Sequence, residues 1–499
     1  MSSPAQTPVA DGELHAASPA DAGHAARNSL VINLLLVSTF VVILNETVMG
    51  VATPRLMTDF GISASAAQWL TSAFLLTMAV VIPLSGFLMQ RFHTRHLYLA
   101  AMSLFFAGTL VAALAPGFEV LLVARIIQAG GTAIMVPLLM TTAMTLEPPA
   151  TRGRRMGSIT VVIAVAPAIG PTIAGLILSQ FSWRFLFFVM LPLALAALIL
   201  GALWMKNVTE PVATPVDVFS VVLSALAFGG IVFGLSHIGE SGGSVGAGVI
   251  IPLAVGVLAL AVFILRQVRL QRKDLALLDL RTFKTPVFTL SVIALGISAM
   301  VLFGSLILLP IYMQSVLGMS VLQSGLLLLP GGLAMGLSSP IIGRIYDRFG
   351  PKPLAIPGTI LITLAIATLS LLTVQSPWWV LLLIHVTLNI GLAMTFTPLF
   401  STAMSELPTK LYSHGSAAVS TLQQVAGAIG TAVFVSTLSA VSATEMAAGN
   451  PAPEAMVAGM HTAFIIAAVI SIAGIVIAAF VRRPAENAEG NNSEVPVHL

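Results

Sequence analysis

The chain is 499 residues long, with 57% hydrophobic residues, only 8% charged residues and a formal net charge of +3. A soluble domain carries roughly 25% charged residues, so this chain cannot cover a water-facing surface of its own size, and a soluble enzyme and a nucleic-acid-binding protein are excluded. It has no cysteine, which excludes disulfides, thiolate metal sites and a cysteine nucleophile; what remains is an all-α polytopic membrane protein.

Residues 1–28 are polar and rich in Ala, Pro, His and Asp. They have no apolar core beside a cleavage site, so they are not a signal peptide and read as a disordered tail, as do residues 482–499. Between the tails lie apolar runs able to cross a hydrocarbon core, which takes ~20 helical residues. They fall at 30–53, 67–89, 97–115, 119–143, 156–180, 183–205, 216–238, 246–268, 288–312, 323–343, 354–374, 378–405, 415–438 and 460–481. Fourteen spans put both termini on one side. With the N-terminus inside, the inner segments hold 19 of the 22 Lys and Arg. Arg55 and Arg184 lie outside, and Arg125 falls within a span. The positive-inside rule favours this topology, and an error of one helix would spoil the pattern.

The segment Gly86 to Arg95 after the second span repeats as Gly343 to Lys352 after the tenth, both on an inner turn between two helices. The chain then divides into a tail (1–28), an N-terminal six-helix bundle (29–206), an inserted transmembrane hairpin with a cytoplasmic linker (207–287), a C-terminal six-helix bundle (288–481) and a second tail (482–499). Two parallel halves around a central site are a transporter architecture. What the extra hairpin does is open at this point.

Glu46 is the only acid deep in a span and Arg125 the only deep base. At 1.5 Å per residue they lie ~10 and ~9 Å below the outer ends of spans one and four. At matching depth they are expected to face one central cavity or to pair. The functional reading is a carboxyl whose proton affinity is set by burial and a nearby Arg acting in opposition; the alternative is a static ion pair that fixes packing. Intramembrane charges are functional by default, and a buried pair seldom stabilises more than apolar packing. Asn45 and Gln128 extend the same polar cluster.

Span five carries Gly157, Pro167, Gly170, Pro171 and Gly175. Proline removes a donor and clashes with the preceding turn, so a bend is expected at Pro171, while small residues let another helix approach. Gly332/Gly336 and Gly230/Gly234 read as packing. Asp347, Arg348 and Lys352, with Arg91 and Arg95 in the first half, are candidates for a charged cytoplasmic gate; Gln90 replaces the equivalent acid there, which weakens that latch. His385 and Asn389 share a helix face and are candidates for the cavity lining, as are Met49, Phe74, Tyr312 and Gln314. No Walker A loop and no metal-ligand cluster is visible, and the serine in Gly242-Gly-Ser244-Val-Gly246 lacks the strand–helix context of a nucleophile elbow.

At these residues the chain resembles the major facilitator superfamily, specifically the fourteen-spanner drug:proton antiporters of the EmrB/QacA type, over roughly residues 30 to 481. Leu44-Asn45-Glu46-Thr47 through Pro54 is similar to that family's first-helix signature, with the acid moved by one residue from Asn45 to Glu46, a rotation of about 100°. The Asn-Glu-Thr form is similar to the lincomycin-resistance branch. Gly86 to Arg95 resembles the loop motif between helices two and three, Arg125 to Gly131 the fourth-helix motif, and Gly157 to Gly175 the fifth-helix antiporter motif that marks exporters. Trp183-Arg184-Phe185 and Leu309 to Gln314 also look like this family.

The resemblance implies a secondary active exporter of drugs or other amphiphiles working by alternating access, with Glu46 and Arg125 coupling it to protons. It implies no cofactor beyond the proton gradient. The implied partners are a small-molecule substrate, protons and the lipid bilayer, in the cell membrane with both termini cytoplasmic; the oligomeric state stays open. With one deep acid, neutral or singly charged substrates are expected rather than dications. Export of a cellular metabolite on the same fold, and a non-transporting membrane receptor or scaffold, are the alternatives.

Overall fold

The computed structural model describes residues 19–62, 64–208, 211, 217–240 and 246–481. The regular structure among them is helical, in fourteen long helices: α1 (Pro19–Phe60), α2 (Ala64–Arg91), α3 (Thr94–Ala113), α4 (Phe118–Leu146), α5 (Arg152–Gln180), α6 (Arg184–Trp204), α7 (Val218–Glu240), α8 (Ala247–Leu270), α9 (Pro286–Ile311), α10 (Val321–Phe349), α11 (Lys352–Leu369), α12 (Trp378–Ser405), α13 (Tyr412–Ala447) and α14 (Ala452–Phe480). Among the described residues, fourteen helices are long and apolar enough to cross a membrane, matching the fourteen spans expected.

The helices overrun their apolar runs where the flanking residues favour helix. α1 begins at Pro19, inside the segment expected to be a tail. Proline is tolerated in a first turn, and the Ala-rich residues that follow are strong helix formers. The remainder of both expected tails, 1–18 and 482–499, lies outside the described residues. α13 and α14 likewise extend toward each other through Ala-rich segments. α5 runs unbroken from Arg152 to Gln180 past both Pro167 and Pro171, so the bend expected at Pro171 does not interrupt the helix.

Helices α1 to α6 pack mainly on one another, and so do α9 to α14. Four contacts join the sets: α5 with α10, the most extensive in the molecule, α2 with α13, α4 with α13 and α5 with α12. The α5–α10 contact is made by missing side chains. A Cβ at Gly343 would lie 2.2 Å from the carbonyl oxygen of Gly153, and one at Gly157 would lie 2.3 Å from that of Ser339. At the other end of the pair the approach is looser, since a Cβ at Gly175 would meet only Cδ1 of Leu322, at 3.9 Å. Gly332 and Gly336 also face α5, against Ala168 and Val165. Gly332 and Gly336, expected only to pack, thus lie on the seam between the two sets, whereas Gly230 and Gly234 pack α7 on α8.

Hydrogen bonds between the sets cluster at the end rich in Lys and Arg, called the basic end below. The backbone N–H groups of Gly153 and Arg154 donate to the carboxylate of Asp347 at 2.7 and 2.9 Å. Thr141 and Ser416 share a hydroxyl–hydroxyl bond of 2.5 Å, Thr160 and Thr397 one of 2.9 Å, and Nε2 of Gln90 donates to the carbonyl of Lys410 at 3.2 Å.

The inserted hairpin, α7 and α8, lies beside both sets. α7 packs on α8, on α2 and on α13, and Trp69 of α2 meets Phe233 of α7 with ring centroids 5.6 Å apart. At the basic end Arg266 donates twice to Asp217, at 2.7 and 2.8 Å, and holds that carboxyl down at about 2. Oε1 of Gln267 accepts from the backbone N–H groups of Leu277 and Leu278. Asp274 in the following linker pairs with Lys410, ahead of α13, at 3.1 Å.

Replacing Gly343 by Ala should lower the melting temperature of the purified protein, by the equivalent of about 1–3 kcal/mol of overpacking. Gly175→Ala should leave it unchanged or raise it, since Ala is the better helix former by about 1 kcal/mol. Equal melting shifts for the two variants would contradict the seam as described.

Candidate functional site

The polar cluster expected around Arg125 forms, but not as an ion pair. Arg125 is 1% exposed. Its guanidinium lies over the face of Phe74, 4.1 Å from the ring centroid. Nε donates to the carbonyl of Leu70 at 3.4 Å and Nη1 to Oε1 of Gln128 at 3.1 Å. Gln128, itself fully buried, passes the chain on by donating to Oγ1 of Thr109 at 2.8 Å. Buried charges need such compensation because unpaired ones are costly. Here a ring face, a side-chain amide and a carbonyl supply it from α2 and α4.

Glu46 is partly buried on α1. It lies within Coulombic range of Arg125, yet among the described residues it makes no hydrogen bond and no ion pair. The arrangement is a satisfied positive charge near a carboxyl that has no hydrogen bond or ion pair of its own among the described residues. The neighbouring Asn45 is 2% exposed, and its Nδ2 finds no acceptor among the described residues. Thr47 bonds back to the carbonyl of Leu44 at 3.0 Å. A Cβ at Gly170 would lie 2.2 Å from Oγ1 of Thr47, so a glycine of α5 seats the turn of α1 that carries Glu46.

Several expected residues stand elsewhere. Met49 is buried in an apolar cluster with Val48, Leu70 and Trp183, and Phe74 offers its face to Arg125; neither is a free cavity wall. Tyr312 lies in a π-helical turn after α9 and donates its hydroxyl to the carbonyl of Thr373 at 2.7 Å, which anchors it to the loop after α11. Gln314 of the same turn is exposed. His385 and Asn389 do share a face of α12, but they wedge against α10: His385 Nε2 meets the carbonyl of Leu328 at 3.2 Å, and a Cβ at Gly331 would lie 2.2 Å from the His385 ring. Both are about 95% buried, as packed polar residues are.

At the basic end, Asp347 binds the N-terminus of α5, where free N–H groups and the helix dipole favour an anion. Arg348 lies over the Phe349 ring, 5.1 Å from its centroid, and Arg91 over that of Phe92 at 6.0 Å; Lys352 is exposed at the start of α11. Arg95 does not join a gate between the sets. Its guanidinium donates to the carbonyl of Ala202 at 2.5 Å and its backbone N–H to Oδ1 of Asn207 at 3.3 Å, so it caps the C-terminal carbonyls of α6 within the first set.

A second repeat was missed. A 3-10 turn, Pro149–Thr151, enters α5, and another, Thr409–Leu411, enters α13, each behind a proline (Pro148, Pro408) with ψ of 145°. The Pro-x-x-x spacing before both helices is the sequence signal. Also missed was His414, buried near the start of α13.

Two sets of six helices joined along one glycine-lined seam, with a charged cluster between apolar helices, define a multi-pass membrane transporter. The chain belongs to the Major Facilitator Superfamily, whose model matches residues 35–431. It is 43% identical over 462 residues to the uncharacterized MFS-type transporter YcnB of Bacillus subtilis (strain 168), covering 92% of this chain and 96% of that one. It is 41% identical over 461 residues to the lincomycin resistance protein LmrB of the same organism, covering 91% and 95%. The structure of the proton:xylose symporter XylE shares the fold, with a TM-score of 0.61 at 17% identity over 92% of this chain and 96% of that one.

Arg125→Lys should destabilise the protein by about 1–3 kcal/mol, the cost of leaving a buried acceptor such as Oε1 of Gln128 without its donor. Chemical unfolding in detergent checks this; a variant as stable as wild type would contradict the assigned role.

Proposed function

We propose that this protein is a proton-coupled antiporter that exports drugs or other amphiphilic small molecules by alternating access. One observation carries the proposal: Glu46 lies near a guanidinium already satisfied by Phe74, Leu70 and Gln128, and has no hydrogen bond or ion pair of its own among the described residues. With Glu46 ionised, the pair of charges cancels. With Glu46 protonated, the charge of Arg125 stands alone in a medium of low dielectric, where it repels a cation strongly. Proton entry thus opposes retention of a singly charged cationic substrate, and entry of such a substrate favours loss of the proton. The coupling can be no larger than the difference in each ligand's affinity for the two states.

The positive-inside bias assigns the basic end to the cytoplasm, with both termini there and the protein in the cell membrane. The seam bonds at that end then correspond to a state closed toward the cytoplasm. Asp347 on the first turn of α5, and the glycine-mediated contact of α5 with α10, would have to part for substrate to enter. The similarity to a lincomycin resistance protein makes lincosamides the first substrates to try. No cofactor is required, since the proton gradient supplies the energy.

The test is substrate-triggered proton movement in inside-out vesicles, with a panel of lincosamides, cationic dyes and quaternary ammonium compounds. Wild type should move protons with at least one compound, and Glu46→Gln should not. Coupling retained in Glu46→Gln would remove Glu46 from the mechanism. Silence from the folded wild type against the whole panel would favour a metabolite exporter.

A further inference from the structure

The proposed mechanism leaves one buried titratable side chain unused. His414, the third residue of α13, is 4% exposed, and its Nδ1 has no hydrogen-bond partner among the described residues. The ring lies close to the backbone at Leu277 in the linker after α8. From the other set of helices, α2 presents Gly86, where a Cβ would lie 3.3 Å from Nδ1 of His414 and 3.1 Å from the carbonyl oxygen of Ser413. The imidazole is therefore buried where the two sets meet.

The charges around it are accounted for without a further cation. The linker brings Asp274, Asp279 and Arg281; Lys410 stands just ahead of α13. Arg281 binds both Asp279 and Asp274, and Lys410 binds Asp274, so two negative and two positive charges cancel. Arg281 holds the Asp274 carboxyl below the usual carboxylate range. α5 adds another cation, Arg152, over the ring of Tyr412 at 5.7 Å. α2 offers the neutral groups Gly86 and Gln90 and, at its end, a further cation in Arg91, and α4 the hydroxyl of Thr141. An imidazolium at His414 would be a surplus positive charge in a closed, buried seam.

We infer that His414 is a second proton-binding site, reached from the basic end when α2 and α13 separate, and that a proton there holds that end open. Histidine is the side chain whose ordinary titration falls between pH 5 and 8. A charge gained in the open state cannot be returned to the seam without losing its hydration. Acid on that side would then slow the return to the closed state, apart from any effect on the proton at Glu46. The inference rests on alternating access, and its test separates the two.

The chain has no cysteine, so spin labels can be placed cleanly by Phe92→Cys and Thr409→Cys, at exposed residues on either side of the seam. Distances are measured by double electron–electron resonance in lipid nanodiscs from pH 8 to pH 5. The labelled parent should gain a long-distance population on acidification, with the open-to-closed ratio rising up to about tenfold per pH unit, the limit for one linked proton. His414→Gln should lose that rise, while Glu46→Gln keeps it. Lys410→Gln, at an exposed side chain that does not endanger folding, removes one neighbouring cation and should weaken the rise. A long-distance population that responds to pH equally in the parent, His414→Gln and Lys410→Gln would overturn the role of His414, as would one that ignores pH in the parent. No long-distance population at any pH would overturn alternating access at this seam along with it.

Discussion

A charge inside a membrane must be compensated by the protein, because hydrocarbon offers nothing in its place. Arg125 meets this demand with the face of Phe74, the amide of Gln128 and the carbonyl of Leu70. Each of these is fixed in turn: Gln128 by Thr109, Phe74 by its apolar neighbours on α2 and α4. The cluster therefore ties α2, α3 and α4 together and leaves Glu46 on α1 as the charged group without a direct partner among the described residues. A site that needed Glu46 to neutralise Arg125 would be a static brace. One in which Arg125 is already satisfied can afford a carboxyl that changes its charge.

The position of that carboxyl depends on backbone close to it. Thr47 is one residue away and touches Gly170 of α5, and α5 in turn meets α10 along the glycine seam. The helix that seats the turn carrying Glu46 is the helix that forms the largest contact between the two sets. A movement of α5 against α10 would reach Glu46 through a single side chain, that of Thr47. At the basic end Asp347 caps the same helix from the opposite set, so one helix links the closed end to the carboxyl.

Much of this was legible in the residues. Hydropathy located the fourteen helices, and for α12 the expected and observed ends coincide at 378 and 405. The unusual depth of Glu46 and Arg125 marked the charged cluster, and the Gly-rich pattern of α5 marked a close approach. Composition does not tell which neighbour a side chain chooses. Arg95 looked like a gate residue by its place in a repeated motif, yet the free carbonyls at the end of α6 were nearer. Met49, Phe74, Tyr312 and His385 were eligible for a cavity by type and went to packing instead, because each had neighbours from elsewhere in the chain that only the fold brings close. Gly332 and Gly336 were visible only as small residues; their importance is that α5 lies opposite. His414 gave no signal, since its neighbours come from a linker well over a hundred residues earlier and from α2.

The account stands or falls on one carboxyl exchanging a proton for substrate. Isothermal titration calorimetry of the purified protein measures this at equilibrium, with the compound that triggers proton movement, in buffers of different ionisation heat. Near the titration of Glu46, binding to wild type should release up to about one proton, and its affinity should fall up to about tenfold per unit of further acidification. Binding to Glu46→Gln should release none, and its affinity should no longer fall on acidification. Proton release that survives in Glu46→Gln, or binding to wild type that releases no proton at any pH, would contradict it.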